Sequence, residues 1–301
     1  MRRVSLRAGG AEFSRMAYGT WRLLATRPTA QEVNRRLHVC LECGITTIDT
    51  AEIYGRYEVE GLLGAALALS PGLRERLEIV TKAGIYVPCE ALPACRTAHY
   101  DATGRRLVGS LEKSLRLLGT DRVDLFLVHR PDWLTRADDT ADGLDGLLAS
   151  GKIGAAGVSN YSAAQFELLN AHMRQRLVTN QVEFHLLRPE PVTDGTFALC
   201  EGAGVAPMAW SPLAGGRLFA AGEPAAQRLA AAAEGMAARY GGATLEQLAY
   251  AWVMALPCGP LPVIGTNREE RIRSAAAADG LRLEREDWYA LWEAAQGRKV
   301  P

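Results

Sequence analysis

Polar side chains recur at one kind of place in this sequence, directly after short apolar runs. Asp49 follows Ile-Thr-Thr-Ile, Lys82 follows Ile-Val-Thr, and His129 follows Val-Asp-Leu-Phe-Leu-Val. Ser159 and Asn160 follow Gly-Val, Gln181 follows Val-Thr-Asn, and Trp210 with Ser211 follows Pro-Met-Ala. A carboxylate, an ammonium, an imidazole, hydroxyls and amides are the groups that move protons and hydrogen-bond a polar substrate. One polar residue after a strand is usually a turn or a cap, and Asn160 with Ser162 could simply start a helix. Six such positions in series are harder to dismiss. If the runs are parallel strands of one barrel, their C-terminal ends share a rim where catalytic groups converge.

Other chemistries lack their residues. No Gly-x-Gly-x-x-Gly follows a strand, so a Rossmann-type dinucleotide site has no support. Gly146 to Lys152 nearly spells a phosphate-binding loop, but Ile153 stands where Ser or Thr must reach Mg²⁺, and the segment ends a helix instead of starting one. Gly157-Val-Ser159-Asn-Tyr161 lacks the final Gly of a nucleophile elbow. The five histidines form no His-x-x-x-His pair, and no metal site is expected. Cys40-x-x-Cys43 has redox spacing but no second pair, and it falls within a helical pattern. The six cysteines therefore read as packed thiols of a reducing compartment.

The elements that must carry the polar ends can be traced along the chain. Strands are predicted at 15–18, 45–48, 77–80, 123–128, 153–158, 178–182, 205–210 and 261–264. Helical patterns lie between them. Thr29-x-x-Glu32 is a capping box opening a helix to about Cys43, and Ser162-x-x-Gln165 starts another. Val59, Leu62, Leu63, Ala66 and Leu67 keep helical spacing, as do Val108, Leu111, Leu115 and Leu118 before Gly119. A further helix covers about 139–148. The interval before the last strand holds two, 225–239 and 244–256. Alternation of this kind predicts a parallel sheet of βα units. Eight units in 301 residues favour an α/β fold, a closed (β/α)8 TIM barrel making a single domain over 1–301. A doubly wound open sheet remains the alternative, because a string of strands does not reveal closure.

Composition narrows the partners. Thirty-four Lys+Arg balance 34 Asp+Glu, with no basic tail or acidic block, so no nucleic-acid partner is expected. No segment reaches the roughly 18–20 uninterrupted apolar residues of a membrane span, and the first residues lack an apolar signal core. A cytoplasmic protein without membrane attachment is expected. No segment marks a dimer surface, and a monomer is compatible with the sequence.

The same residues carry a strong resemblance to the aldo-keto reductases. Gly44-Ile-Thr-Thr-Ile-Asp49-Thr-Ala-Glu-Ile-Tyr54-Gly55 resembles the family's signature around its second barrel strand. Lys82 in Ile-Val-Thr-Lys and His129 in Leu-Val-His-Arg-Pro match the other catalytic positions. Gly157-Val-Ser-Asn160, Asn180-Gln181, Ala209-Trp210-Ser-Pro-Leu213 and Pro262-Val-Ile-Gly265-Thr266 follow in the family's order, so the likeness runs from about Gly19 to Ala275. Within the family, Glu12-Phe-Ser-Arg15, Trp21-Arg-Leu and the terminal Val300-Pro301 resemble bacterial oxidoreductases of the YdhF type.

The resemblance implies reversible NADPH-dependent reduction of an aldehyde or ketone, a small-molecule carbonyl substrate, to an alcohol. Hydride attack builds negative charge on the carbonyl oxygen, which needs a proton donor and an oriented hydrogen bond. Tyr54 matches the donor. A free phenol has a pKa near ~10, and a neighbouring Lys82 ammonium is expected to lower it, with Asp49 keeping Lys82 charged. His129 is expected to hydrogen-bond the carbonyl oxygen.

For NADPH/NADP+, Ser159, Asn160 and Gln181 match positions that bind the nicotinamide carboxamide, and Trp210 matches the aromatic stacked on its ring. Gly19, Thr20 and Trp21, with Ser211, Leu213, Gly215, Gly216 and Arg217, are expected around the diphosphate, where glycines allow close backbone approach. Thr266 and Arg268, with Arg271 one helical turn on, are expected at the adenosine 2′-phosphate, which suits the arginine fork, and Gly265 and Asn267 are expected to be cofactor-binding as well. Asn267 stands where relatives often have a basic residue, and Ala275 where an Asn usually contacts adenine. Trp21, Tyr86 and Trp133 are candidate walls for the substrate, or equally loop packing. The rival function is a nucleotide-sensing barrel with little turnover. The full set Asp49, Tyr54, Lys82 and His129 argues for catalysis.

Overall fold

The computed structural model describes residues 1–300. Eight parallel strands close into a barrel: β1 (Ala17–Gly19), β2 (Thr47–Asp49), β3 (Glu78–Ala83), β4 (Leu125–Val128), β5 (Ala156–Ser159), β6 (Asn180–Glu183), β7 (Met208–Trp210) and β8 (Leu261–Ile264). Strand order follows chain order around the ring, and Val263 pairs with Ala17 to shut it. The open-sheet alternative is thereby excluded. Register brings polar ends side by side: Gly19 pairs with Asp49, and Gln181 with Ser159.

Helices surround the ring: α1 (Ala30–Glu42), α2 (Val59–Ala68), α3 (Gly104–Leu118), α4 (Ala137–Ala149), α5 (Ala163–His172), α6 (Thr196–Ala203), α7 (Pro224–Met236), α8 (Leu245–Met254), α9 (Glu269–Ala277) and α10 (Arg285–Gln296). The start of α1 shows how local sequence sets them. The Thr29 hydroxyl accepts the Glu32 N–H at 3.2 Å, and the Glu32 carboxylate accepts the Thr29 N–H at 2.7 Å. Val33, Leu37 and Cys40 then bury one face against the barrel. Ser162 with Gln165 and Thr244 with Gln247 form the same reciprocal cap at α5 and α8. Between α3 and α4, a Cβ on Gly143 would collide with the backbone of Gly104, so this pair permits a close crossing.

The observed strands start up to three residues later than the apolar runs. Ile45, Ile153 and Val205 are buried below the regular ladder. An antiparallel hairpin that the sequence reading omitted pairs Arg3–Ser5 with Glu12–Ser14. Its flanking Leu6 and its Phe13 are buried among Ala17, Val80, Leu125, Leu127, Met208, Leu261 and Val263. The hairpin plugs the N-terminal end of the barrel and leaves the C-terminal rim open. In a separate cluster, Trp252 and Trp288 stack at 5.0 Å, and each indole N–H donates to the other's carbonyl at 3.0 Å, which fastens α10 to α8.

Candidate active site

Strand alternation decides which rim residues face inward. On β3, Thr81 faces α2, where its hydroxyl donates to Glu60, so Lys82 must point into the barrel. Its ammonium is fully buried and donates to the Asp49 carboxylate at 2.7 Å, the Thr50 carbonyl at 2.8 Å and the Tyr54 hydroxyl at 3.0 Å. All three ammonium protons thus have acceptors. Burial opposes the Lys82 charge, but Asp49 and Tyr54 more than offset it and hold its pKa above the ordinary lysine value. The second Asp49 oxygen accepts the Gln181 amide N–H at 2.7 Å.

Tyr54 comes from the loop after β2, and its ring is edge-on to Trp21 at 5.0 Å and to His129 at 5.9 Å. Its phenol departs from the sequence expectation. Burial pushes its pKa above the ordinary value and outweighs the downward pull of Lys82. The ammonium acts in the expected direction, but the phenol is protonated at neutral pH. His129 is held well below its usual range by burial, then by the charges of Lys82 and Arg130. It is therefore neutral, and its buried Nδ1 has no hydrogen-bond partner.

A cavity of about 490 Å³ opens over these groups. Asp49, Tyr54, His129 and Gly19 are buried residues of its lining, and Trp21, itself 60% exposed, borders the same cavity. A Cβ on Gly19 would lie 2.7 Å from the Val263 side chain, so glycine keeps this wall thin. Ser159, Asn160, Gln181 and Trp210 line the next stretch and are mutually bonded. The Ser159 hydroxyl donates to the Gln181 carbonyl at 2.8 Å, the Asn160 amide to Ser159 at 2.6 Å, and the Trp210 indole to Asn160 at 3.0 Å. Ser211, Leu213, Gly215 and Gly216 continue the wall, with Ser211, Gly215 and Gly216 at φ of 52°, 69° and 101°. Left-handed backbone of this kind turns consecutive N–H groups toward a concave surface suited to anions. Gly265, Thr266, Asn267, Arg268 and Arg271 form the far end.

Five expected residues lie elsewhere. Lys82 sits behind Tyr54 and Asp49, not on the cavity surface. Thr20 is buried and turns its hydroxyl to the Asp49 carbonyl at 3.0 Å. Arg217 donates to its own loop at Ala214. Tyr86 stacks on His99 at 4.6 Å beneath the Arg106 guanidinium, in a separate small pocket. Trp133 is 75% exposed and packs beside Tyr100. Ala275 is buried within α9, away from the cavity. Asn267 lines the cavity, but its amide donates to the Arg22 carbonyl at 2.7 Å and its oxygen accepts from Tyr18 at 3.3 Å. Lining residues not anticipated include Arg22, Ile53, Ile85 and Arg130. Ile53 and Arg130 sit inside the motifs already quoted, where adjacency to Tyr54 and His129 was the available signal.

Residues 15–296 match the Aldo/keto reductase family. The chain belongs to that family. This aldo-keto reductase is 43% identical to the 6-dehydroglucose reductase of Agrobacterium fabrum and 41% identical to the oxidoreductase YdhF of Escherichia coli, each over the full length of both chains. It superimposes on a thermostable aldo-keto reductase, Tm1743, solved with the inhibitor epalrestat. That match has a TM-score of 0.82 and 28% identity, and covers 98% of this chain and 100% of the other. The chain is accordingly an oxidoreductase. Among the described residues of this aldo-keto reductase, no helix is long and apolar enough to cross a membrane. Among the described residues, no group of three or more His, Cys, Asp or Glu could hold a metal ion.

Proposed function

We propose that this chain reduces small aldehydes or ketones to alcohols with NADPH, Tyr54 giving the proton. The observation that carries the reading is the line Asp49–Lys82–Tyr54, bonded at 2.7 and 3.0 Å and ending beside neutral His129 in the cavity.

When bound, a reduced nicotinamide supplies the hydride. The remaining chemistry falls to the chain. His129, being neutral, offers one N–H to a carbonyl oxygen and fixes its direction. As charge develops on that oxygen, Tyr54 donates its hydroxyl proton. The phenolate left behind is stabilised by the Lys82 ammonium, which stays charged because Asp49 faces it. The raised Tyr54 pKa suits this order of events, since a donor must hold its proton until the oxygen becomes basic.

The donor set along the cavity suits a pyridine dinucleotide. Ser159, Asn160 and Gln181 offer hydroxyl and amide partners for a carboxamide, and Trp210 offers an aromatic face. Backbone at 211–216 suits a diphosphate, and Arg268 with Arg271 suits a 2′-phosphate. Asn267 is already committed to Arg22 and Tyr18, and Arg271 is paired with Glu246 at 3.0 Å, which leaves Arg268, paired with the exposed Glu270, as the principal 2′-phosphate reader.

The test is NADPH oxidation, followed by the absorbance of the reduced nicotinamide, over a panel of aldehydes and ketones. The panel includes 6-dehydroglucose, the compound in the name of the Agrobacterium relative. Turnover of any member supports the reading. NADPH binding with no turnover across the panel would favour the nucleotide-sensing alternative.

A further inference from the structure

Arg130 follows His129 at the end of β4 and is half-buried in the wall of the same cavity as Tyr54, His129 and Trp210. Several other arginines are paired with carboxylates, among them Arg106 with Glu52 at 2.9 Å and, on the same cavity, Arg271 with Glu246 at 3.0 Å. Arg130 has no such partner among the described residues. Its guanidinium lies 5.9 Å from the centre of the Trp210 ring. Asp132, two residues on, is not free to serve. Its oxygens take the Ala102 N–H at 3.1 Å, the Leu134 N–H at 2.9 Å and the Thr135 hydroxyl at 2.5 Å.

A guanidinium facing a partly closed cavity without a counter-charge leaves a planar fork of donors to be satisfied by whatever enters. Trp21, Ile53 and Ile85 supply apolar wall on the same cavity. They would accept an alkyl group but cannot orient an oxygen. The Arg130 charge also bears on both reacting groups. At His129 it adds to burial and the Lys82 charge in lowering the pKa, and at Tyr54, where burial raises the pKa, it is a small influence in the downward direction beside Lys82.

We infer that Arg130 is a specificity-determining residue, selecting carbonyl compounds that carry an oxygen acceptor, carboxylate or hydroxyl, over purely alkyl ones. The inference rests on the reductase reading above. It narrows the substrate class to oxygenated carbonyl compounds and gives Arg130 the part of reading the group that does not react.

The experiment compares the wild-type protein with Arg130→Met and Arg130→Lys. NADPH oxidation is measured with propanal, glyceraldehyde and glyoxylate, and glycolate is titrated by tryptophan fluorescence in the presence of NADP+. The wild type should favour at least one oxygenated compound over propanal by about tenfold or more in kcat/KM, and Arg130→Met should lower that ratio by about tenfold. Preference for glyoxylate assigns a carboxylate, and preference for glyceraldehyde a hydroxyl. Retention of the ratio by Arg130→Lys, with loss in Arg130→Met, assigns the effect to charge and not to the fork. A wild-type ratio near one, or an unchanged ratio in Arg130→Met, overturns the inference. Glycolate binding separates the two failures. If nothing is reduced but glycolate binds only when Arg130 is present, the reductase reading fails and the acceptor-reading site stands. Equal binding by wild type and Arg130→Met overturns the site whatever the turnover.

Discussion

Gln181 donates its amide N–H to Asp49 at 2.7 Å from the opposite side of the barrel. β2 and β6 are four strands apart in an eight-stranded ring, so this bond spans the barrel beneath the cavity. It commits one Asp49 oxygen, while the other holds Lys82. The carboxylate is thereby fixed in rotation, and with it the direction from which Lys82 approaches Tyr54.

Removing that carboxylate should therefore cost stability as well as activity. Asp49→Asn leaves a fully buried ammonium without its counter-charge, a change worth about 3 kcal/mol or more. Urea unfolding at neutral pH checks it. A loss under about 1 kcal/mol would mean that the Tyr54 and Thr50 oxygens are enough to hold the Lys82 charge.

Two histidines make stability fall on the acid side. His129 is held well below its usual range by burial and the charges of Lys82 and Arg130; His185 is held lower chiefly by burial, against the pull of Glu183. Where the folded pKa is depressed, the unfolded chain binds more protons. Stability is full above the unfolded value near ~6.5 and declines as pH drops below it, by up to about 1.4 kcal/mol per pH unit for each group. His129→Asn should lessen the difference between urea midpoints at about pH 7.5 and 5.5. An unchanged difference would contradict the burial of a neutral His129.

Much of the rim was legible because a strand of period two followed by a polar residue places that residue without knowledge of the rest. Asp49, His129, Ser159, Gln181 and Trp210 are found on the cavity for that reason. The caps at Thr29 and Ser162 were legible too, since they depend on four consecutive residues. What depended on distant parts of the chain was not. The bond from Gln181 to Asp49 needs barrel closure, and the hairpin of Arg3–Ser5 with Glu12–Ser14 is too short to show a period. Burial of Tyr54 reverses the net direction expected from Lys82 alone, and burial is a property of the assembled site.

The aromatic residues of the loops after β1, β3 and β4 are the clearest case of a reading that local sequence could not decide. Tyr86 is occupied by His99 and Arg106, and Trp133 lies beside Tyr100, whereas Trp21 stands 5.0 Å from Tyr54. Trp21→Ala should raise KM for an apolar aldehyde about tenfold, the worth of a modest apolar contact. Trp133→Ala should leave it within about twofold. Equal effects would place Trp133 against the substrate in solution.

Among the residues proposed to read a 2′-phosphate, Arg268 has the least structural duty, since its side chain is 69% exposed and paired with neighbouring Glu270 at 2.5 Å. Arg268→Ala should weaken NADPH about tenfold and NADH no more than about twofold, as expected for one charge-assisted contact to a phosphate. Fluorescence titration with both nucleotides measures it. Equal losses would remove Arg268 from 2′-phosphate recognition.

The most direct test is the Tyr54→Phe variant, measured with a carbonyl substrate that the wild type reduces and by NADPH titration in parallel. This exchange deletes the hydroxyl that lies 3.0 Å from Lys82 and keeps the ring between Trp21 and His129. The expected result is a fall in kcat of at least about a hundredfold, with the NADPH Kd within about twofold of wild type. Activity within about threefold of wild type would contradict the role of Tyr54 as proton donor, and with it the reaction proposed for this site.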